Sequence, residues 1–231
     1  MAAGSRPGRR HLPALATTAA AVLAFGLAVA LARPAGGAPA QAAPAAVSGA
    51  VPARQVALRE SMRKLWEDHV TWTRMVIVDV AGGLPSLRAD EARLLRNQAD
   101  IGNAVVPYYG RAAGRRLTGL LRDHILIAAD LLTAAKTDDG VAFSRAQAAW
   151  RANADRIAAF LAAANPASWP RSHMRSMMRG HLALTTDEAV ARLAGRFADD
   201  VRAYDRVHGQ ILEMADMLSE GIVRQFPARF R

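Results

Sequence analysis

Residues 58–76 read LRESMRKLWEDHVTWTRMV, and their large apolar side chains recur at alternating steps of four and three. This spacing places those side chains along one face of an α-helix, as in a helix that packs into a bundle. One position of this apolar seam is polar, because His69 stands between Leu65 and Trp72. A buried imidazole needs a partner. The segment therefore predicts a bundle helix that carries a polar site inside the bundle.

The same helical spacing continues to the end of the chain. No segment after residue 54 alternates with a period of two, so no strand is predicted. The sequence predicts an all-α fold, an up-and-down antiparallel bundle of four to five long helices plus a short one. Glycine- and proline-containing turns separate the expected helices, which are about 55–80, 87–106, 111–136, 141–164, 172–183 and a last one that starts at the cap Thr185-Thr186-Asp187-Glu188 and ends near 223.

The first four expected helices contain an internal sequence repeat. LWEDHV at 65–70 is matched by LLRDHI at 120–125. The hairpins 55–106 and 111–164 are therefore predicted to be diverged copies of one unit. His181 followed by His208 continues the spacing, but the helix break expected at 185 separates these two residues.

Each long helix is predicted to carry large polar side chains within its apolar stripe, near mid-length. With a rise of 1.5 Å per residue, these positions fall within about one turn of the same depth in antiparallel neighbours. Buried polar groups at one level bond one another, a metal or a ligand. The residues expected at this level are His69, Asn97, Asp100, His124, Asn153, Asp205 and His208.

Three interpretations of this layer remain open. It is a structural polar layer that fixes helix pairing, a small-molecule pocket, or a metal site. The spacing of Asp205 and His208 is similar to the Glu-x-x-His of di-iron bundles, but no bridging glutamate lies in the seams, so one zinc or copper ion is favoured. The expected metal ligands are His69, His124, His208, Asp205 and Asp100, with Asn97 and Asn153 supporting them from outside.

Two further groups of residues have alternative roles. Arg74 is expected to pair with Asp100 or Asp205, to hold an anionic ligand, or to lie at the surface. His181 lies near three methionines, a combination that suits copper(I), although methionines at helical spacing are more often core residues. These methionines are Met174, Met177 and Met178.

The first 53 residues are predicted to direct export. Arginines precede an uncharged run from Leu12 to Ala32, which is typical of a signal peptide or an N-terminal membrane anchor. Residues 33–53 are rich in alanine and proline and are expected to be a linker, followed by a single helical domain over 54–231. The first 53 residues hold four of the 30 basic and none of the 20 acidic residues, so the domain has a net charge of +6. This scattered charge, together with export, argues against a nucleic-acid partner.

Several runs resemble an uncharacterised bacterial family of small helical proteins that are often exported. The resemblance covers nearly all of the chain after residue 60 and implies a helical fold. Some members are labelled glycosyltransferase or acetylglutamate kinase, but the sequence contains no motif for phosphate or sugar-nucleotide chemistry. The runs are LWEDHVTWTR (65–74), LLRNQADIG (94–102), PYYG (107–110), ANAD (152–155), AYDRVH (203–208), MADML (214–218) and QFP (225–227).

Overall fold

The computed structural model describes residues 51–231, which form helices and no strand. This confirms the predicted all-α bundle. The predicted export segment and nearly all of the predicted linker lie outside the described residues. No helix within 51–231 combines the length and the apolar character needed to cross a membrane. The helices are α1 (Ala53–Gly82), α2 (Leu87–Lys136), α3 (Gly140–Ala164), α4 (Arg171–Leu193) and α5 (Phe197–Gln225), followed by a 3-10 turn (Pro227–Phe230).

Helix α2 consists of two arms that fold back on each other at Gly110. This residue has φ 82° and ψ 167°, a conformation that favours glycine. The arms approach closely at Gly102 and Gly114, because a Cβ atom on Gly102 would lie 2.7 Å from the carbonyl oxygen of Gly114. The two helices predicted on either side of 107–110 are therefore the first arm (87–109) and the second arm (111–136) of α2.

Helix α4 corrects the predicted helix boundary at residue 185. The hydroxyls of Thr185 and Thr186 do not cap a new helix; they donate to the carbonyls of His181 and Leu182, at 2.9 and 2.7 Å, inside a continuous helix. The chain leaves the helix ten residues later, at Gly195, where φ is 70°. The short helix predicted over 172–183 is thus a long one, and α4 and α5 form a third hairpin.

The three hairpins close into a ring. The first consists of α1 and the first arm of α2, the second of the second arm and α3, and the third of α4 and α5. Each helix packs against its neighbours in the chain, and α1 packs against α5 to close the ring. Helix α4 also contacts α1 and α2. The helix that opens each hairpin therefore faces the centre of the bundle.

Two apolar clusters fill the bundle above and below its middle. The larger includes Trp66, Leu121 and Met178. The smaller includes Val76 and Leu132. Burial of these side chains provides the main favourable free energy of folding. The polar residues discussed next lie between the two clusters.

Candidate functional site

Three histidines from the three hairpins meet in the middle of the bundle. His69, His124 and His181 come from α1, the second arm of α2 and α4, and their side chains are 2–4% exposed. The ring centroids of His69 and His181 are 5.7 Å apart, and those of His124 and His181 are 6.2 Å apart. The structure thus brings together two of the predicted histidines and adds His181 to them.

Each imidazole is held by an amide that follows it by 29 residues, on the second helix of the same hairpin. The Nδ1 atom of His69 lies 3.2 Å from Gln98 Nε2. The equivalent distances are 2.9 Å from His124 Nδ1 to Asn153 Oδ1 and 3.2 Å from His181 Nδ1 to Gln210 Oε1. The same contact therefore occurs three times, at the same place in each hairpin.

A second hydrogen bond also recurs in every hairpin. An amide NH₂ donates to the backbone carbonyl four residues before the histidine. Asn153 donates to Leu120 at 3.0 Å and Gln210 donates to Met177 at 3.3 Å. In the first hairpin the donor is Asn97, which donates to the carbonyl of residue 65 at 3.0 Å. The contact with the imidazole is made by its neighbour Gln98. These bonds fix the register of each helix pair.

The hydrogen bonds assign the ring protons. The NH₂ groups of Asn153 and Gln210 donate to backbone carbonyls. The side-chain oxygens of these two amides therefore face the imidazoles and accept from them. His124 and His181 thus carry the proton on Nδ1. Gln98 Nε2 lies 2.8 Å from the carbonyl of Leu94 and therefore donates, which makes Nδ1 of His69 an acceptor and places its proton on Nε2. Among the described residues, no hydrogen bond reaches Nε2 of any of the three rings.

All three imidazoles are neutral near pH 7. Burial lowers the pKa of His124 to about 3 and the pKa of His181 to about 4. Burial also lowers the pKa of His69 well below its ordinary value, and the neighbouring His181 and His124 lower it further. Removing a cation from water is costly without an opposite charge. The centre of the bundle therefore offers uncharged donors and acceptors.

The remaining predicted metal ligands lie elsewhere. His208 is half-buried at the surface, where its Nε2 lies 3.0 Å from Glu67 Oε1. Asp100 and Asp205 are exposed. The helical register explains this correction: the buried stripe of α5 runs through Val207, and the next residue points about 100° away from it.

Arg74 also differs from its predicted pairings. Its Nη1 atom lies 2.8 Å from Glu188 Oε1 and 2.8 Å from Asp200 Oδ1, and both carboxylates are 1% exposed. Arg192 approaches Asp200 at 3.4 Å. Burial raises the pKa of Glu188 to about 7, although Arg74 opposes this. This buried ion cluster joins α1 to α4 and α5, and neither Asp100 nor an exogenous anion is needed to explain the arginine.

An apolar cavity of about 100 Å³ lies one helical turn beyond the histidines. The residues four positions after the three histidines line it, and they are Thr73, Ala128 and Thr185. All three are small, whereas the residues three positions before the histidines are Trp66, Leu121 and Met178. Large side chains therefore pack on one side of the imidazole layer, and the cavity lies on the other side.

The rest of the cavity wall is mostly apolar, with Glu91 and Thr186 as its other polar residues. Its hydroxyls are occupied, because those of Thr73 and Thr185 donate to the carbonyls of the histidines one turn earlier, at 2.8 and 2.9 Å. Leu126, 51% exposed, stands where the cavity opens towards solvent. The wall also includes Val76, Ile77, Leu94, Ile125, Leu132, Trp150 and Ala189.

Sequence reasoning considered His181 only as part of a separate copper(I) site and left it out of the central layer, and it missed Gln98 and Gln210. A signal for all three was present, since adding 29 to the position of each core histidine gives a side-chain amide every time. Asn97 was found, and it takes part in the layer through a backbone carbonyl. Met174 and Met178, proposed as copper ligands beside His181, are buried in the apolar core.

Within residues 51–231, no three histidine, cysteine or acidic side chains are grouped closely enough to hold a metal ion. Comparison with known protein families, with curated proteins and with solved structures finds no match to this chain.

Proposed function

We propose that the protein binds a small uncharged molecule at the centre of its bundle, in the cavity beside the imidazole layer. One observation supports this most directly: each of the three hairpins contributes a small residue from the same helical turn, Thr73, Ala128 and Thr185, to one apolar cavity of about 100 Å³. Ligand pockets are mostly apolar, with a few polar groups that orient the ligand.

A purely structural layer explains less of the geometry. The bonds at Nδ1 and at the backbone carbonyls already fix helix pairing. Protein interiors are otherwise close-packed, and these bonds give no reason for a cavity one turn beyond the layer. A small ligand that fills the cavity accounts for it.

Xenon tests whether the cavity admits a guest. We expect xenon to shift the methyl NMR signals of Val76, Ile77, Ile125 and Leu132, because dry apolar cavities take up this atom. Leucine at Ala128 would fill the space next to His124 and should abolish the shifts.

The matched control is Ala152→Leu, which adds the same atoms to an exposed position of α3. This variant should respond to xenon as the original protein does. Xenon shifts that are absent from the original protein, or unchanged in Ala128→Leu, would overturn the proposal.

Zinc or copper binding is the second candidate. Its support is the arrangement of His124 and His181, each of which donates from Nδ1 to an amide oxygen and so presents a lone pair at Nε2. Metal-bound histidines are held in this way in proteins. Nitrogen ligands of this kind suit zinc and copper. His69, with its proton on Nε2, would hydrogen-bond to a further ligand of the ion.

Metal titration separates this candidate from the first. If it holds, one equivalent of Zn²⁺ or Cu⁺ should bind per chain, and His181→Gln should weaken binding at least tenfold because one of two nitrogen ligands is lost. His208→Gln is the control, since His208 lies at the surface with Glu67. Equal loss of binding in both variants, or no binding at one equivalent, would exclude a metal at the centre.

Export is part of the same proposal. It is supported by the arginines and the uncharged run at 12–32, which also provides a membrane tether if the segment is not cleaved. The chain would then bind its ligand outside the cytoplasm.

A further inference from the structure

We infer that one end of the bundle binds the surface of a membrane that contains anionic phospholipids. This end, called the basic end, consists of the start of α1, the bend of α2 at Gly110, the junction of α3 with α4, and the 3-10 turn after α5. The surface concerned is the outside of the bundle, so its role is independent of whether the cavity takes up a ligand.

Direct contacts join the four segments of the basic end. Beside the bend of α2, the ring of Tyr108 stacks on Phe230 of the 3-10 turn, with 5.8 Å between the ring centroids. The neighbouring Tyr109 packs against Trp169 in the junction of α3 with α4, at 5.9 Å. Helix α1 packs antiparallel to α5 and contacts the 3-10 turn, so its start lies at the same end.

The net charge of the domain lies in the half of the bundle that includes the basic end. On this side of the imidazole layer the chain has 15 basic and 9 acidic residues, whereas the other side has 11 of each. The charge that is scattered along the sequence is therefore collected on one side by the fold. The segments counted in the basic half are 51–69, 98–124, 153–181 and 210–231.

Six arginines of the basic end are exposed and have no ion pair within residues 51–231. Other arginines there differ, because Arg59 and Arg175 are bonded to aspartates of the bundle at 2.8 and 3.0 Å. A guanidinium that is not bonded within the protein is available to phosphate groups, which it binds through two N–H donors. The six are Arg54, Arg111, Arg115, Arg116, Arg171 and Arg229.

The path of the chain favours a membrane as the source of these phosphates. Helix α1 begins at Ala53, so the preceding residues join the bundle at its basic end. The uncharged run at 12–32, proposed above as a membrane tether, would therefore be connected to the side that carries the six arginines. Each arginine near an anionic membrane surface strengthens binding about fivefold.

Fluorescence quenching in vesicles tests this inference on the full chain. The sequence has no cysteine, so a single introduced cysteine carries a fluorophore at a known position. Ala112→Cys places it at the basic end and Ala89→Cys places it at the opposite end, both at exposed positions. Lipids with a spin-labelled headgroup quench a fluorophore at the membrane surface.

We expect quenching at Ala112→Cys in vesicles of phosphatidylcholine that contain phosphatidylglycerol. Vesicles of phosphatidylcholine alone should give little quenching, and Ala89→Cys should give little in either. Salt at about 1 M should remove the effect, because it shortens the screening length to about 3 Å. Equal quenching with and without phosphatidylglycerol would overturn the inference, since a tether alone would then hold the bundle near the lipid.

A pair of matched variants tests the arginines themselves. Arg111→Gln with Arg115→Gln should lower the ratio of quenched to unquenched label about 25-fold, a factor of about five for each arginine. The control is Arg88→Gln with Arg145→Gln, which removes two exposed arginines without an ion pair in 51–231 from the opposite end and should leave the ratio unchanged.

Equal effects of the two double variants would mean that net charge, and not the basic end, determines binding, and the inference would be wrong. Soluble polyphosphate is the second probe. If it binds through Arg111 and Arg115 while anionic vesicles give no quenching, the partner is a soluble polyanion and not a membrane. The xenon experiment is unaffected by any of these outcomes, so the proposed function is tested separately.

Discussion

Replacing Arg74 with methionine is expected to lower the free energy of unfolding by about 3–5 kcal/mol, because it leaves two buried carboxylates without their main partner. Glu188 and Asp200 are each 1% exposed, and both accept from the same guanidinium at 2.8 Å. Of the two carboxylates, Arg192 reaches Asp200, at 3.4 Å, and does not replace the lost bonds. Urea unfolding at pH 8, above the pKa of about 7 that burial gives Glu188, measures the change.

Two further variants test the cause of this loss. Adding Glu188→Gln and Asp200→Asn to Arg74→Met should restore part of the stability, because no buried charge is then unpaired. Arg59→Met is the matched control: Arg59 also pairs with a carboxylate at 2.8 Å, that of Asp216, but is 51% exposed, so its removal should cost less than about 1 kcal/mol. Similar losses for Arg74→Met and Arg59→Met would show that burial of the cluster contributes nothing.

The fold was largely predictable because its signals are local. Apolar spacing gave the helices, and Gly83, Gly110 and Gly140 lie at or beside three of the predicted turns. The helix boundary predicted at residue 185 was wrong. The run Thr-Thr-Asp-Glu is typical of an N-terminal cap, but these side chains make contacts within the bundle instead of capping a helix. The two hydroxyls bond to the preceding turn, and Glu188 is turned towards Arg74 on another helix. Such a long-range contact leaves no trace in local spacing.

The site was only partly predictable for the same reason. His69 and His124 stand in clear apolar seams, so their burial follows from the sequence. Because a helix boundary was predicted at residue 185, His181 was expected near a helix end. His208 was therefore expected to be the third histidine of the polar layer. The cavity depends on three small residues from separate hairpins, Thr73, Ala128 and Thr185, and their common position becomes visible only when the hairpins are aligned on their histidines.

Acid is expected to unfold the protein, with the loss of stability concentrated between pH 6.5 and 4. The folded-state pKa values of His124 and His181, about 3 and 4, lie below the ordinary value of 6.5. The unfolded chain therefore binds protons in this window that the folded chain does not. The contribution of the neutral imidazoles to the free energy of unfolding is complete above pH 6.5. It falls by about 1.4 kcal/mol per pH unit for each imidazole as the pH drops towards the folded-state pKa. His69 acts in the same direction.

Glu188 opposes this trend. Its folded-state pKa of about 7 lies above the ordinary value of 4.5. As the pH falls, Glu188 therefore takes up a proton at a higher pH in the folded protein than in the unfolded chain. Its contribution is complete below pH 4.5 and is lost as the pH rises through 7. Glu188→Gln should therefore steepen the loss of stability in acid. His181→Gln should instead make that loss shallower by about 1.4 kcal/mol per pH unit between pH 6 and 4.5.

Urea unfolding at a series of pH values, with a chelator present, measures both slopes. His173→Gln, at an exposed position at the start of α4, controls for removing a histidine outside the core. Because a substitution at His181 also lowers stability at every pH, the slope and not the absolute value is the test. Parallel curves for the original protein and His181→Gln would mean that this ring takes up its proton equally in the folded and unfolded states. The layer could not then consist of buried neutral imidazoles.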